Sequence, residues 1–428
     1  MRFSKRTEWN TELSELARAH RRRVEAGLPI ADLTASNPTR CGFTYDANLL
    51  SALTDQRALD YDPQPKGLPA AREAVCGYYR AHGVRIDPGQ VVLTTSTSEA
   101  YSYLFRLLCD PDSEILVPQP GYPLFDFLAG LDDVLLKTAP LVYDYGWQIE
   151  PEGLRRAISP ETRAIVLVHP NNPTGHFTKP WEARELQALC TEHHLSLIVD
   201  EVFLDYAFGD SQPSFAAGLE EVPVYVVSGL SKIAGLPQMK AAWIVATGPE
   251  SEEALERLEV IADTFLSMNA PVQWATVRWL EEGGRTQQQI RERVGANLAE
   301  LDRQLAGQDT IRRLEVEGGW YAVLRIPAVQ RDEKTVLELL AEGVWVHPGY
   351  FFGMEESGWL VVSLLGPTED VSRGITKLIT YLGQLMAEAG ASSSDGDPSD
   401  GRTGGEPLLP SSHQNRHAAP TVKSADTK

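Results

Sequence analysis

Six short apolar runs, separated by stretches of helical length, constrain this chain more than any other feature. They are Val91–Thr94, Glu114–Val117, Ala164–Val168, Leu195–Val199, Val224–Val227 and Ala241–Ala246. Runs this short with helical segments between them read as strands. They are nearly continuous in apolar residues instead of alternating, so both faces of each strand must be covered. That is the pattern of a mostly parallel central sheet with helices on both sides, an α/β fold. The runs lie between about residues 45 and 285. A second unit follows, with a helical pattern through Arg293 to Leu305 and strands near Tyr321–Ile326 and Leu360–Leu364.

The 428 residues suffice for one large domain and a smaller one. The expected division is 1–45 as an N-terminal arm and part of a small domain, 46–285 as a large domain, and 286–389 as an α+β small domain. From about Gly390 the chain becomes rich in Ser, Gly, Pro and Asp, beginning with Ser392-Ser393-Ser394-Asp395-Gly396-Asp397-Pro398. Few apolar residues are available there to offset the entropy of ordering, so 390–428 is expected to be a disordered tail. Residues 9–27 read as an amphipathic helix with Leu13, Leu16, Ala17 and Val24 on one side, and with Arg21, Arg22 and Arg23 on a solvated face. No internal repeat is evident.

A formal net charge of −20 disfavours nucleic acid and anionic membrane surfaces as partners. Cys41, Cys76, Cys109 and Cys190 form no C-x-x-C pair, so neither a zinc site nor a redox motif is suggested, and reduced packing thiols are expected. No secretory h-region and no membrane-length apolar run is seen, which makes the cytoplasm the default location.

Chemistry-bearing residues follow three of the runs. Ala164–Val168 leads into His169-Pro170-Asn171-Asn172-Pro173-Thr174-Gly175, Leu195–Val199 into Asp200-Glu201-Val202-Phe203, and Val224–Val227 into Ser228-Gly229-Leu230-Ser231-Lys232. A carboxamide, a carboxylate and an amine are thus each placed just past a strand, where open α/β sheets bind ligands. That trio is what pyridoxal phosphate requires. A carboxylate keeps the ring nitrogen protonated, a lysine exchanges the cofactor aldehyde with the substrate amine, and an amide donor holds the ring oxygen.

With Ser231-Lys232-Ile233-Ala234-Gly235-Leu236-Pro237, these motifs resemble the class I/II aminotransferases of the fold-type I pyridoxal-phosphate enzymes, over roughly residues 30–385. The resemblance implies an aspartate-aminotransferase-like fold and a ping-pong transfer of an amino group from an amino acid donor to a 2-oxo acid. Lys232 forms the aldimine and shuttles the proton, and Asp200 faces the ring nitrogen, with Glu201 behind it. Asn172 donates to the ring oxygen and can reach the substrate carboxylate, whereas Asn171 reads as a turn residue. Tyr122, in Pro120-Gly121-Tyr122-Pro123, stacks on the ring. Thr97 and Ser98, in Thr95-Ser96-Thr97-Ser98-Glu99-Ala100 at the start of a helix expected from Glu99 to Cys109, cradle the phosphate with Ser231 and Lys240. Tyr61 reaches a phosphate across a homodimer interface.

The chain departs from the family pattern at four places. Ser96 replaces a glycine. Lys240 replaces an arginine, losing its planar fork. Phe203 replaces a tyrosine that donates to the ring oxygen, and Tyr206 is a weak candidate to compensate. Val361, two residues before Ser363, replaces the arginine that clamps the substrate α-carboxylate. Arg40, after Ser36-Asn37-Pro38-Thr39, is a candidate replacement, with Asn37 beside it as a substrate contact. Two other readings stay open at this stage: a carbon–sulfur β-lyase on the same scaffold, and, more remotely, a non-catalytic sensor of cofactor or amino acid.

Overall fold

The computed structural model describes residues 2–394, with 211 and 283 left aside. All six runs are strands of one eight-stranded sheet. Its order is Val91–Thr94, Ala242–Thr247, Val224–Gly229, Ser196–Asp200, Thr162–Val168, Glu114–Gln119, Leu135–Tyr143 and Trp147–Ile149. Neighbours from Val224–Gly229 through Leu135–Tyr143 pair in parallel. Ala242–Thr247 is antiparallel to both of its neighbours, and Trp147–Ile149 is an antiparallel edge.

The last two strands have no counterpart among the expected runs. Leu135–Tyr143 lies toward the edge, and Lys137 and Thr138 are among its exposed residues. Solvent covers part of it, so the sequence carries no continuous apolar signal there.

Alternation along the central strands divides the interior. Ala164, Val166 and Val168 face the helices Thr97–Leu108 and Ser251–Phe265, while Ile165 and Leu167 face Pro69–Ala81, Pro180–His193 and Ala270–Glu282. Successive side chains of a strand point to opposite faces, so covering both faces demands apolar residues at every position. The sheet order reverses between Glu114–Gln119 and Thr162–Val168. From there the chain builds outward in both directions, which opens a crevice past the carboxyl ends of these two strands.

A second, antiparallel sheet has the order Arg312–Arg313, Tyr321–Arg325, Trp359–Ser363, His347–Pro348. One face packs Leu360 and Val362 against Val336, Leu339, Val371, Ile375 and Leu378 of the helices Asp332–Ala341 and Thr368–Ser394. The N-terminal segment joins this core through Leu16 and Leu33, and Ala31–Asp32 pairs in parallel with Val344–Trp345.

Three expectations need correction. The N-terminal helix runs only from Glu15 to Glu25, because Ser14 caps it by accepting from the Ala17 N–H at 3.1 Å. Of its expected apolar face only Leu16 is buried, and Val24 is exposed. Arg23 is not simply solvated, since it donates to the carbonyls of Ala341 and Pro29. The long helix of the second unit starts at Gly284, upstream of Arg293. At the other end, Thr368–Ser394 carries helix past the expected boundary at Gly390, and the rest of the expected tail lies outside the described residues. Among the described residues no helix is long and apolar enough to cross a membrane. All four cysteines are free, and burial pushes the thiols of Cys41, Cys76 and Cys109 up to about 11.

Trp243 tests the packing. It is fully buried in the sheet, and its indole N–H donates to the Tyr79 hydroxyl at 3.1 Å across the sheet–helix contact. Trp243→Ala should cost about 3–5 kcal/mol in urea unfolding, from lost transfer energy and the cavity left behind. An unchanged unfolding midpoint would contradict this packing.

Candidate active site

Strand register brings the three motifs together. Val168 pairs with Asp200, and Asp200 pairs with Val227, so the turns carrying Asn172, Asp200 and Lys232 leave the sheet side by side. Gly175 closes the Asn172 turn. Its φ is +70°, and a Cβ there would sit 2.3 Å from a methyl of Val316 and 2.5 Å from the Gly318 carbonyl. Asn171 anchors the same turn, donating to the Pro120 carbonyl at 3.0 Å and the Thr174 hydroxyl at 2.9 Å, in keeping with a turn role. Asn172, by contrast, is buried, and its carbonyl Oδ1 has no hydrogen-bond partner among the described residues. An unmade hydrogen bond at a buried amide is costly.

Asp200 is 7% exposed. Its Oδ1 accepts from the Val202 N–H at 3.0 Å and its Oδ2 from the Tyr101 hydroxyl at 3.0 Å. Burial pushes the carboxyl up to about 6, against the opposing pull of those two donors and of Lys232. Lys232 sits in the short helix Leu230–Ile233, directly after its strand. Its ammonium lies 5.0 Å from the ring centre of Trp320 and 5.9 Å from that of Phe203. Loss of solvation pushes the amine down to about 8, although the Asp200 charge raises it. Glu201 is fully buried behind the site and holds the 214–215 turn, accepting from the Ser214 hydroxyl at 2.7 Å and the Phe215 N–H at 2.6 Å.

The helix after Val91–Thr94 begins at Thr97, two residues before the expected start, and ends at Leu108. Ser96 caps it by accepting from the Glu99 N–H at 3.2 Å. That leaves the Thr97 and Ser98 N–H groups at the positive end of the helix dipole. Gly121 lets the chain fold tightly ahead of Tyr122, since a Cβ there would lie 2.0 Å from the Pro118 carbonyl. Tyr122 stands perpendicular to Phe125, with ring centres 5.9 Å apart, and is 41% exposed.

The remaining candidates are placed less directly. Ser231 is half-buried beside Lys232, and Lys240 is exposed in a left-handed backbone conformation. Tyr61 is 83% exposed and lines a cavity of about 180 Å³ with Tyr103, Ser267 and Gln273, which Lys232 does not line. Asn37 uses its Oδ1 to cap the turn Pro38–Arg40, accepting from the Thr39 N–H and hydroxyl, and Arg40 is exposed at the end of that turn.

Tyr206 does not compensate for Phe203. It is buried, and its hydroxyl donates to the Lys232 carbonyl at 2.6 Å. Val361 is 0% exposed, between Val323 and His347 in register, in an apolar cluster with Trp147, Leu314, Phe352 and Met354. Burial pushes the His347 imidazole down to about 4, so it brings no positive charge at neutral pH. The cluster abuts the Tyr122 loop, where the Phe352 carbonyl accepts from the Gly121 N–H at 3.0 Å. Tyr101 and Trp320 were not anticipated. Tyr101 lies one helical turn after Thr97, a spacing that could have flagged it, whereas Trp320 is remote in sequence and carries no such signal.

The sequence profile of the family Aminotransferase class I and II matches residues 43–378. The chain belongs to this family. The glutamate-pyruvate aminotransferase AlaA of Escherichia coli is 26% identical over 384 residues, which are 85% of this chain and 92% of the relative. The alanine aminotransferase of Mycobacterium tuberculosis is 28% identical over 388 residues, covering 85% and 88%. Among solved structures, the alanine aminotransferase of Pyrococcus furiosus superposes with a TM-score of 0.82 at 24% identity, covering 90% of this chain and all of that one. An aspartate aminotransferase of Thermotoga maritima gives 0.77 at 21% identity, covering 89% of this chain. The fold is therefore aspartate-aminotransferase-like, as expected, and this aminotransferase is an enzyme of the transaminase class. The lyase reading is not favoured.

The depressed amine is directly testable. In the protein stripped of cofactor, a small amine-directed reagent should label Lys232 with a midpoint near pH 8, because only the neutral amine reacts and its fraction rises through that pH. Surface lysines should follow a midpoint about two units higher. Asp200→Asn removes the charge that raises the amine and should move the Lys232 midpoint lower still. Labelling of Lys232 in step with surface lysines, read by peptide mass mapping, would refute the assignment.

Proposed function

We propose that this aminotransferase works with pyridoxal 5′-phosphate at the Lys232 site, taking the amino group of an α-amino acid and passing it to a 2-oxo acid. The observation that carries the reading is the junction of a depressed lysine amine, a buried carboxylate and a buried carboxamide with an unpartnered carbonyl at the ends of three neighbouring parallel strands. The donor set suits that cofactor from end to end. The Thr97 and Ser98 N–H groups, with Ser231 and Lys240, would hold the phosphate. Asn172 would donate to the ring hydroxyl oxygen, Asp200 would face the ring nitrogen, and Tyr122 would cover the ring.

Bound there, the cofactor supplies an aldehyde for the substrate amine and a ring that stores the electron pair left when the Cα–H bond breaks. The protein's part is proton traffic and orientation. Lys232, with an amine near 8, takes a proton at neutral to mildly basic pH and returns it nearby. Asp200 in its ionised form holds a proton on the ring nitrogen by a charge-assisted hydrogen bond. Burial favours the neutral amine, while the ring faces of Phe203 and Trp320 attract its charged form.

The substrate carboxylate is proposed to lie near Asn172, Asn37 and Arg40, since the cluster around Val361 supplies no cation. The names of the relatives support small amino acids and 2-oxo acids as partners. The outward-facing Tyr61 and its cavity support a homodimer with active sites at the interface. The separate cores of the two sheets support a large unit at 46–285 and a small unit built from 1–45 and 286–389. Four unpaired thiols support a cytoplasmic location.

Lys232→Ala should lose nearly all single-turnover conversion with amino acids while retaining the cofactor through its other contacts. Borohydride reduction of the wild-type holoenzyme should fix the label on the peptide containing Lys232, and a label elsewhere would overturn the proposal. For the carboxylate, Arg40→Ala should raise the amino acid concentration needed for half-saturation about 10–100-fold, the loss expected for a charged hydrogen bond. The response to the matching amine without a carboxylate should not change. Equal effects on both would remove Arg40 from the substrate site.

A further inference from the structure

The helix that presents Thr97 and Ser98 also reaches the other end of the same crevice. Tyr101, one turn further on, is 2% exposed and donates its hydroxyl to Asp200 Oδ2 at 3.0 Å. Its ring is fixed edge-to-face on Phe125, with centres 5.2 Å apart, and lies 6.0 Å from Phe105. The hydroxyl is therefore aimed by packing on its own layer, with no freedom to follow the carboxylate. Oδ1 has the Val202 N–H, so each carboxylate oxygen has one fixed donor, and together they set the plane and direction of the group.

We propose that Tyr101 is a positioning residue for this transamination site: it orients the Asp200 carboxylate and keeps it ionised, and it ties that carboxylate to the helix whose first turn faces the phosphate end. The inference rests on the reading of Asp200 given above and adds a residue to it. A buried carboxylate that loses one of two hydrogen bonds favours its neutral form. The other groups facing Asp200 are Lys232, whose charge favours the ionised form, and Tyr122, Tyr79 and Glu201, which feel its charge without relieving it. Tyr101 and the Val202 N–H are thus the neutral donors that hold the carboxylate ionised.

The test is the pH dependence of pyridoxal phosphate binding to the cofactor-free protein, followed by absorbance. Affinity needs ionised Asp200, so it is lost as pH falls through the carboxyl's titration. Tyr101→Phe keeps the ring packing and removes only the donor, and the acid midpoint should move up by about one to two pH units. Tyr101→Leu, a second variant in case the first misfolds, should shift it in the same direction. Phe125→Leu loosens the packing that aims the hydroxyl but leaves the donor, and should move the midpoint in the same direction by less than Tyr101→Phe does. A wild-type acid midpoint in folded Tyr101→Phe, or an equal shift in Phe125→Leu, would overturn the proposal. Asp200→Asn separates the two levels of the argument. If that change leaves the profile untouched, the reading of Asp200 falls. If it abolishes the acid limb while Tyr101→Phe does nothing, only the role of Tyr101 falls.

Discussion

Hydrogen-bonded register between three parallel strands is the constraint on which the rest of this molecule depends. Val168, Asp200 and Val227 lie side by side in the sheet, so the turns that follow must emerge together. Each carries a group that is expensive to place there: an amide carbonyl without a partner, a carboxylate without much solvent, and an amine among rings. Two cores press on the strands from opposite sides and fix their positions. A slip of one residue would turn every side chain to the other face and scatter the three groups, so core packing and site geometry enforce each other.

The expense is arranged so that the groups compensate one another. Burial moves Asp200 up toward neutrality and Lys232 down toward it, and each charge opposes the shift of the other. Neither reaches ion-pair distance of the other among the contacts of the described residues, so the amine is left unclamped, as the proposed role requires. The aromatic floor of Phe203 and Trp320 is anchored separately, through the Tyr206 hydroxyl on the Lys232 carbonyl. That bond fixes the backbone of the lysine while leaving its side chain available.

Much of this was legible in the sequence because it was written in local terms. Strands covered on both faces show as apolar runs, and residues just past them are displayed by the sheet without further information. The order of motifs then pointed to Lys232, Asp200 and Asn172, whose turns the register brings side by side. What escaped was non-local. Leu135–Tyr143 is partly solvated and so leaves no apolar trace. Trp320 comes to Lys232 from the bend just before the strand Tyr321–Arg325 of the other sheet, across a large sequence separation. The expected N-terminal helix is present but starts late, because Ser14 supplies the cap, and Val24 of its expected apolar face turns to solvent. The substitution at Val361 was visible as a letter, but its meaning came from packing. The valine is not an arginine site left open; it is sealed by Trp147 from the edge strand and by Phe352 from the turn Gly349–Phe352 after the small sheet's strand His347–Pro348.

The first turn of the Thr97 helix, the proposed phosphate end of the site, already carries one anion. Glu99 lies in that turn, where a carboxylate benefits from the helix dipole and would compete with a phosphate for it. Its Oε2 is instead committed to the Thr95 N–H at 2.6 Å, the Thr95 hydroxyl at 3.0 Å and the Ser267 hydroxyl at 2.9 Å. Three donors draw the charge away from the N–H groups of Thr97 and Ser98, and they tie the helix start to the strand end and to the 266–270 segment. Ser267 also lines the cavity that holds Tyr61, so the carboxylate joins the proposed phosphate end of the site to the surface proposed for the second subunit. A glycine at position 96 would offer no hydroxyl to cap Glu99. Ser96 does, and its bond to the Glu99 N–H makes this corner a fixed frame in place of a flexible loop. The departure from the family pattern at Ser96 therefore comes with its own compensation, built from the residue three positions on.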